Sequence, residues 1–274
     1  MNEFFEEIEA TLLYTCLPTP DFSAFCARLN EGKSSLAPTF TTANAPQDGY
    51  EILTSETLQL SVMSTAMPLG AECFMGAINP ASNAATRAAL TGIVARHSAH
   101  VTLTLTRNDD RPLSRANAQA MLRQTFAATS AFGEMHPPLA VHWETTNRLH
   151  RAEQMQDFSR TDTPLGLFLN FRNEVIGQRR APALRVLGAE PWLGRSLHIQ
   201  IGQLDREEAK SVARAFVEAA ISDNAAPVRQ SFHCQGHGFR IAHAPDGRRI
   251  DLIPTQQTLQ IPGRDLSTPA RIRH

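Results

Sequence analysis

The chain has 274 residues, 42% of them hydrophobic and 19% charged, which suffices for one large domain or two small ones around a sizeable core. A net charge of −1 excludes a global field that would steer nucleic acid, and no stretch reaches the roughly 18 apolar residues that a membrane span needs. The acidic start Met1–Glu7 lacks the features of a secretory peptide, and Cys16, Cys26, Cys73 and Cys234 form no CxxC pair, so a cytoplasmic location is expected.

Thr11–Leu17 reads as a buried strand that Pro18 and Pro20 break. Asp21 then caps a short helix with Phe22, Phe25, Cys26 and Leu29 on one face, ended by Gly32. Residues 33–48 read as a loop. Tyr50–Thr54 and Leu58–Thr65 form a hairpin, with Leu58, Leu60 and Val62 facing one way. Pro68–Asn83 is a connector whose Met67, Leu69, Phe74 and Met75 are expected to contribute to the core. A helix over Ala84–His97 is expected to lay Ala84, Ala85, Ala88, Ala89 and Ile93 against a sheet. It runs straight into an alternating strand in which Val101, Leu103 and Leu105 point inward.

Ser114 caps the helix from Arg115 to about Phe132, and Pro137-Pro138 precede a strand at Leu139–Trp143. The first six elements match a ferredoxin-like βαββαβ order. Thr145–Thr163 is polar and reads as a short helix or an excursion. Leu165, Leu167, Leu169 and Phe171 alternate as a strand, and strands follow near Leu184–Leu187 and Leu197–Ile201. Asp205 and Glu208 make a capping box for a helix with Ala209, Val212, Ala213, Phe216, Val217 and Ala220 on one side. Three short strands close the pattern, near Ser231–Cys234, Phe239–His243 and Ile250–Ile253. The expected fold is α+β: a ferredoxin-like N-terminal lobe (11–144), a C-terminal lobe packed on it (164–262), mixed or antiparallel sheets backed by helices, and a mobile tail (263–274).

His97-Ser98-Ala99-His100 before a hydrophobic strand, Gly188-Ala189-Glu190 and Arg240-Ile241-Ala242-His243-Ala244-Pro245 are the features by which residues 11–254 resemble a bacterial family, domain-of-unknown-function family 4261. The resemblance implies a cytoplasmic bacterial protein and brings no catalytic residue with it.

Candidate chemistry is sparse. His233, Cys234 and His237, with His243 nearby, are the residue types that bind zinc, at a spacing that matches no standard zinc unit. Loop histidines and a buried cysteine are the plainer reading. His97 and His100 stand at a helix end, where hydrogen bonding to the adjoining strand competes with a binding or catalytic role. Glu190, between Gly188 and Trp192, is either a carboxyl whose pKa is raised beside an indole or one half of a salt bridge with Arg185 or Arg195. Glu144, Asp162 and Glu174 are further carboxylates. Lys33 and Lys210 are the only lysines, and Arg179-Arg180 and Arg248-Arg249 read as solvated pairs. No Gly-x-Ser-x-Gly elbow, Walker loop or Gly-x-Gly-x-x-Gly turn is present.

A patterned fold without a chemical signature favours a non-enzymatic protein-binding protein without nucleic-acid or membrane partners. In concrete form it is an immunity or adaptor protein for a secreted toxin or effector, with His97, His100, Glu190 and Trp192 as binding residues and no cofactor. The alternatives are a metal-dependent hydrolase using His233, Cys234, His237 and His243, with zinc, and a small-ligand sensor with a pocket near Trp143 and Trp192.

Overall fold

The computed structural model describes residues 7–31, 38–43, 49–78, 84–109, 114–161, 163–176, 180–223 and 230–255. Two sheets divide the strands. The first comprises β1 (Glu7–Tyr14), β2 (Thr41–Thr42), β3 (Tyr50–Thr54), β4 (Leu58–Thr65), β5 (Ala99–Arg107), β6 (Ala140–Trp143) and β7 (Arg148–Arg151). Its order is β2-β3-β4-β5-β1-β6-β7, antiparallel throughout. The second comprises β8 (Asn170–Ile176), β9 (Ala181–Leu187), β10 (Ser196–Gln200), β11 (Ser231–Cys234), β12 (His237–His243) and β13 (Arg249–Pro254). Its order is β11-β12-β13-β10-β9-β8, and only the β10–β13 pair is parallel. The helices are α1 (Phe22–Asn30), α2 (Met75–Ile78), α3 (Ala84–Arg96), α4 (Arg115–Met135), α5 (Ala152–Phe158), α6 (Leu165–Phe168), α7 (Glu190–Leu193) and α8 (Arg206–Ser222). The class is α+β, with helices backing both sheets.

The ferredoxin-like unit is present, but not in the first six elements. It is built from β1, α1, β4, β5, α4 and β6, so that each βαβ crossover encloses one antiparallel strand: β5 lies between β1 and β4, and β1 between β5 and β6. The strands β3 and β2 extend one edge, and β7 the other. The pairing has a physical basis in side-chain alternation. Leu12 points to the face covered by α1 and α4, where Phe25 meets Phe132 edge-on at 5.2 Å. Leu13 points to the opposite face, where it packs with Phe74, Leu90, Ile93 and Val94 beneath α3.

Several expectations change at this point. The first strand starts at Glu7 and ends at Tyr14, before the prolines. In α3 the buried residues are Leu90, Ile93 and Val94, while Ala84, Ala85, Ala88 and Ala89 face outward. The larger side chains win the core because they remove more apolar surface from water. Met67 and Met75 are 65% and 58% exposed, whereas Phe74 is fully buried. Leu165–Phe168 is a helical turn rather than a strand, started by Pro164, and its Leu165, Leu167 and Phe168 all fill the space between the sheets. The first sheet reaches Arg151, beyond the expected limit at 144. Gly32, Asp162 and the tail 263–274 lie outside the described residues.

The two lobes share one core. Phe168 lies between the two indoles, 5.5 Å from Trp143 and stacked at 5.7 Å on Trp192. Gln119 of α4 donates to the Pro191 carbonyl at 2.9 Å. Gly188 makes the joint possible: its φ is +79°, and a Cβ there would collide with the Phe168 carbonyl. In α8, Ala209, Val212, Ala213, Phe216, Val217 and Ala220 are buried, and Asp205 and Glu208 exchange two 2.8 Å capping hydrogen bonds. Among the described residues, no helix is long and apolar enough to cross a membrane.

Candidate functional site: a basic cleft between the lobes

The open edges of the two sheets, β7 and β8, meet in a cleft of about 470 Å³. All four residues of β7 line it, as an edge strand allows, with Asn170 and Phe171 of β8. The outward alanine face of α3 (Ala85, Ala89) and α8 supply the walls. The lining carries five basic side chains, Arg148, Arg151, Arg206, Lys210 and Arg214, against one carboxylate, Glu207.

Three of these cations are held in place. Arg148 follows Asn147, whose left-handed φ of 47° turns the chain from β6 into β7. Its Nη1 donates to the carbonyls of Gly166 (2.8 Å) and Leu169 (3.0 Å), which locks the guanidinium across the inter-lobe segment. Arg214 lies over the Phe171 ring, 5.4 Å from its centroid. Lys210 keeps its side chain 14% exposed and reaches the exposed Glu207 at 2.6 Å. Among the described residues, no carboxylate pairs with Arg148 or Arg214. Burial, and then repulsion from Arg214, push the Arg148 guanidinium below its usual pKa. Two arginines that repel, without a carboxylate partner among the described residues, are an arrangement that an anionic ligand relieves.

His150 backs the cleft. It is 1% exposed, its Nε2 has no partner, and its ring meets Phe158 edge-on at 5.2 Å. Burial, then Arg148 and His142, lower its pKa to about 3, so the imidazole stays neutral beside the cations.

The residues singled out in the sequence lie elsewhere. His97 is structural: Nδ1 contacts the Val94 carbonyl at 2.5 Å and Nε2 accepts from the Leu69 N–H at 2.9 Å. His100 binds the Met67 carbonyl through Nδ1 at 2.8 Å, so the pair fastens the 67–69 connector to the sheet. Trp192 is fully buried in the core, and Trp143 with it, with the Phe168 ring between them. Glu190 opens α7. Burial raises its pKa, against the lowering effect of nearby backbone N–H groups and Arg185.

The proposed metal donors diverge. In the β11–β12 hairpin His233 pairs with Gly238 and Cys234 with His237, so alternation puts His233 on the opposite face from the other two. The His233 ring packs over Gly238, and His243, at the far end of β12, accepts from Arg195 at 2.8 Å. Burial and then Glu218 raise the Cys234 thiol pKa, which disfavours the thiolate that zinc requires. No group of three or more His, Cys, Asp and Glu among the described residues could hold a metal ion.

A second titratable cluster joins Glu144 to Glu9 on the first sheet. Burial and then Glu144 raise the Glu9 carboxyl to about pKa 7, and His142 beside them bonds Asn147 at 3.0 Å. Glu174 meets His198 at 3.2 Å on the second sheet.

One signal for the cleft was legible. Arg206, Lys210 and Arg214 recur every four residues, a basic stripe on one face of α8. Arg148 and Phe171 carry no such pattern, because only the tertiary fold brings them to that stripe. Comparison of the chain with protein-family models, with curated proteins and with solved structures finds no match in any of the three.

Proposed function

We propose that this chain is a binding protein that recognises an anionic group in the cleft between its lobes. The supporting observation is the facing pair Arg148 and Arg214, with Lys210 beside them and no carboxylate between them. Binding is favoured over acid–base catalysis because the imidazole on the lining is buried, neutral and closed off at Nε2. The test is calorimetric titration of sodium phosphate into the protein at low ionic strength. Saturable binding is expected, weakened by salt and lost in the double variant Lys210→Gln/Arg214→Gln. Equal heats from both proteins would end this reading.

A second reading, docking of another protein, is favoured by the cross-strand pair Tyr50 and Met63, 36% and 47% exposed, with Met67 exposed further along the chain. An immunity or adaptor role toward a secreted toxin is its concrete form, with a cytoplasmic location. The resemblance to family 4261 adds no activity to either reading. A native pull-down tests the second: it predicts a stoichiometric partner that Met63→Lys releases, and recovery of the same partner by that variant counts against it.

A further inference from the structure

We infer that the ligand of the cleft is a small organic phosphate monoester, its phosphate held by Arg148, Lys210 and Arg214 and its organic part laid against α3. This inference rests on the anion-binding reading above.

Charge comes first. Five cations face one carboxylate, and that carboxylate is already engaged with Lys210. A single carboxylate ligand would leave most of this positive charge uncompensated. A phosphate monoester brings about −1.5 to −2 charge at pH 7 and three strong acceptor oxygens. The cations are also graded in depth. Arg151 and Arg206 are exposed at the mouth, whereas Arg148, Lys210 and Arg214 are half-buried inside. The outer pair attracts an anion and the inner three hold it. With Nη1 of Arg148 fixed by two carbonyls, the rest of its planar fork meets phosphate oxygens without losing much side-chain freedom.

Space and polarity then separate an organic phosphate from the bare ion. A volume of about 470 Å³ lies in the range of small-molecule pockets, roughly 300–1,000 Å³, and far exceeds the need of inorganic phosphate. The lining also carries apolar residues with short or aliphatic side chains: Ala77, Ala85, Ala89 and Leu90 beside α3, and Leu149 on β7. The α3 alanines, turned outward because Leu90, Ile93 and Val94 take the core, leave this room by their small size. The first turn of α3 also lines the cleft, so the positive end of its dipole adds to the field of the side chains.

Calorimetry on the full chain tests the inference, with inorganic phosphate, three organic phosphates (AMP, glucose 6-phosphate and O-phosphoserine) and the parent compounds adenosine, glucose and serine. At least one organic phosphate is expected to bind about tenfold or more tightly than inorganic phosphate, with no detectable binding of its parent. Arg214→Gln is expected to weaken that binding by about tenfold. Ala89→Leu, at an exposed helix position, fills the apolar part of the lining. It should weaken the organic phosphate and spare the inorganic ion. If all three organic phosphates bind no better than inorganic phosphate, or if Ala89→Leu affects both alike or neither, the inference fails and the anion reading stands. If no phosphate binds at all, both fail.

Discussion

Replacing His150 with phenylalanine isolates one proton and its effect on stability. The imidazole titrates near 6.5 in the unfolded chain and near 3 in the folded protein, because folding buries it beside Arg148. As the pH falls below 6.5, the unfolded chain takes up the proton first, so folding loses stability progressively down to about pH 3. The full loss is about 5 kcal/mol, of which about 2 kcal/mol falls between pH 7 and pH 5. Phenylalanine keeps the edge-on contact with Phe158 and cannot be protonated. Any packing change from the new ring shifts both pH values equally. Urea unfolding at pH 7 and pH 5 measures the effect: the difference in unfolding free energy between wild type and His150→Phe should move by about 2 kcal/mol toward the variant at pH 5. His142 and His198, also lowered by burial, contribute a slope of the same sign in both proteins, and Glu9 one of opposite sign, so the subtraction removes all three. Parallel stabilities at the two pH values would refute the assignment of His150 as a buried neutral imidazole.

Glu9 gives the opposite slope. Its carboxyl is raised from 4.5 to about 7, so its contribution is complete below pH 4.5 and is lost as the pH rises through 7. Glu9→Gln should therefore melt higher than wild type at pH 8 and lose that advantage at pH 5, and melting curves that keep a constant offset would contradict a Glu9 carboxyl raised by burial and by Glu144. Asp205→Ala removes the capping-box acceptor of α8 and should cost about 1 kcal/mol in urea unfolding, while Asp205→Asn should cost little. Gly188→Ala meets both a positive φ and the Phe168 carbonyl. It should destabilise by more than the ~1 kcal/mol that left-handed backbone alone costs an L-residue, with the Trp192 fluorescence environment changed. An unperturbed, stable Gly188→Ala would mean that the joint between the lobes is looser than described.

Local signals carried most of the fold. Asp21 accepts from the Ala24 N–H at 3.0 Å and Ser114 from the Asn117 N–H at 3.1 Å, so both caps stand where the sequence puts them. The Tyr50–Thr54 and Leu58–Thr65 strands and the α8 stripe also follow from periodicity alone. The failures occur where packing overrides pattern. Leu165, Leu167, Leu169 and Phe171 alternate as a strand would, yet the first two sit in a helical turn because the space between two sheets accepts side chains from every direction. The α3 alanines resemble a packing face by composition, but Leu90, Ile93 and Val94 take it. Strand order is likewise a long-range property: nothing near Leu58 or Ala99 says that α3 bridges neighbouring strands and α4 bridges separated ones. The cleft was half legible. The basic residues of α8 share a spacing, whereas His233, Cys234 and His237, residue types of a metal site, stand in a hairpin that points His233 away from the other two.

The place of β13 has a consequence for how the molecule is made. Residues 249–254 form the last strand among the described residues, yet they lie in the interior of the second sheet, between β12 and β10. Until they leave the ribosome, β8–β9–β10 and β11–β12 have no backbone hydrogen bonds to each other, and each exposes an edge with apolar side chains such as Ile199 and Phe239. Closure of that sheet therefore waits until residues 249–254 have been made, after its other five strands. A nascent chain stalled near residue 245 would hold a completed first sheet beside two unjoined ribbons, the form in which this protein is most open to chaperones and to self-association.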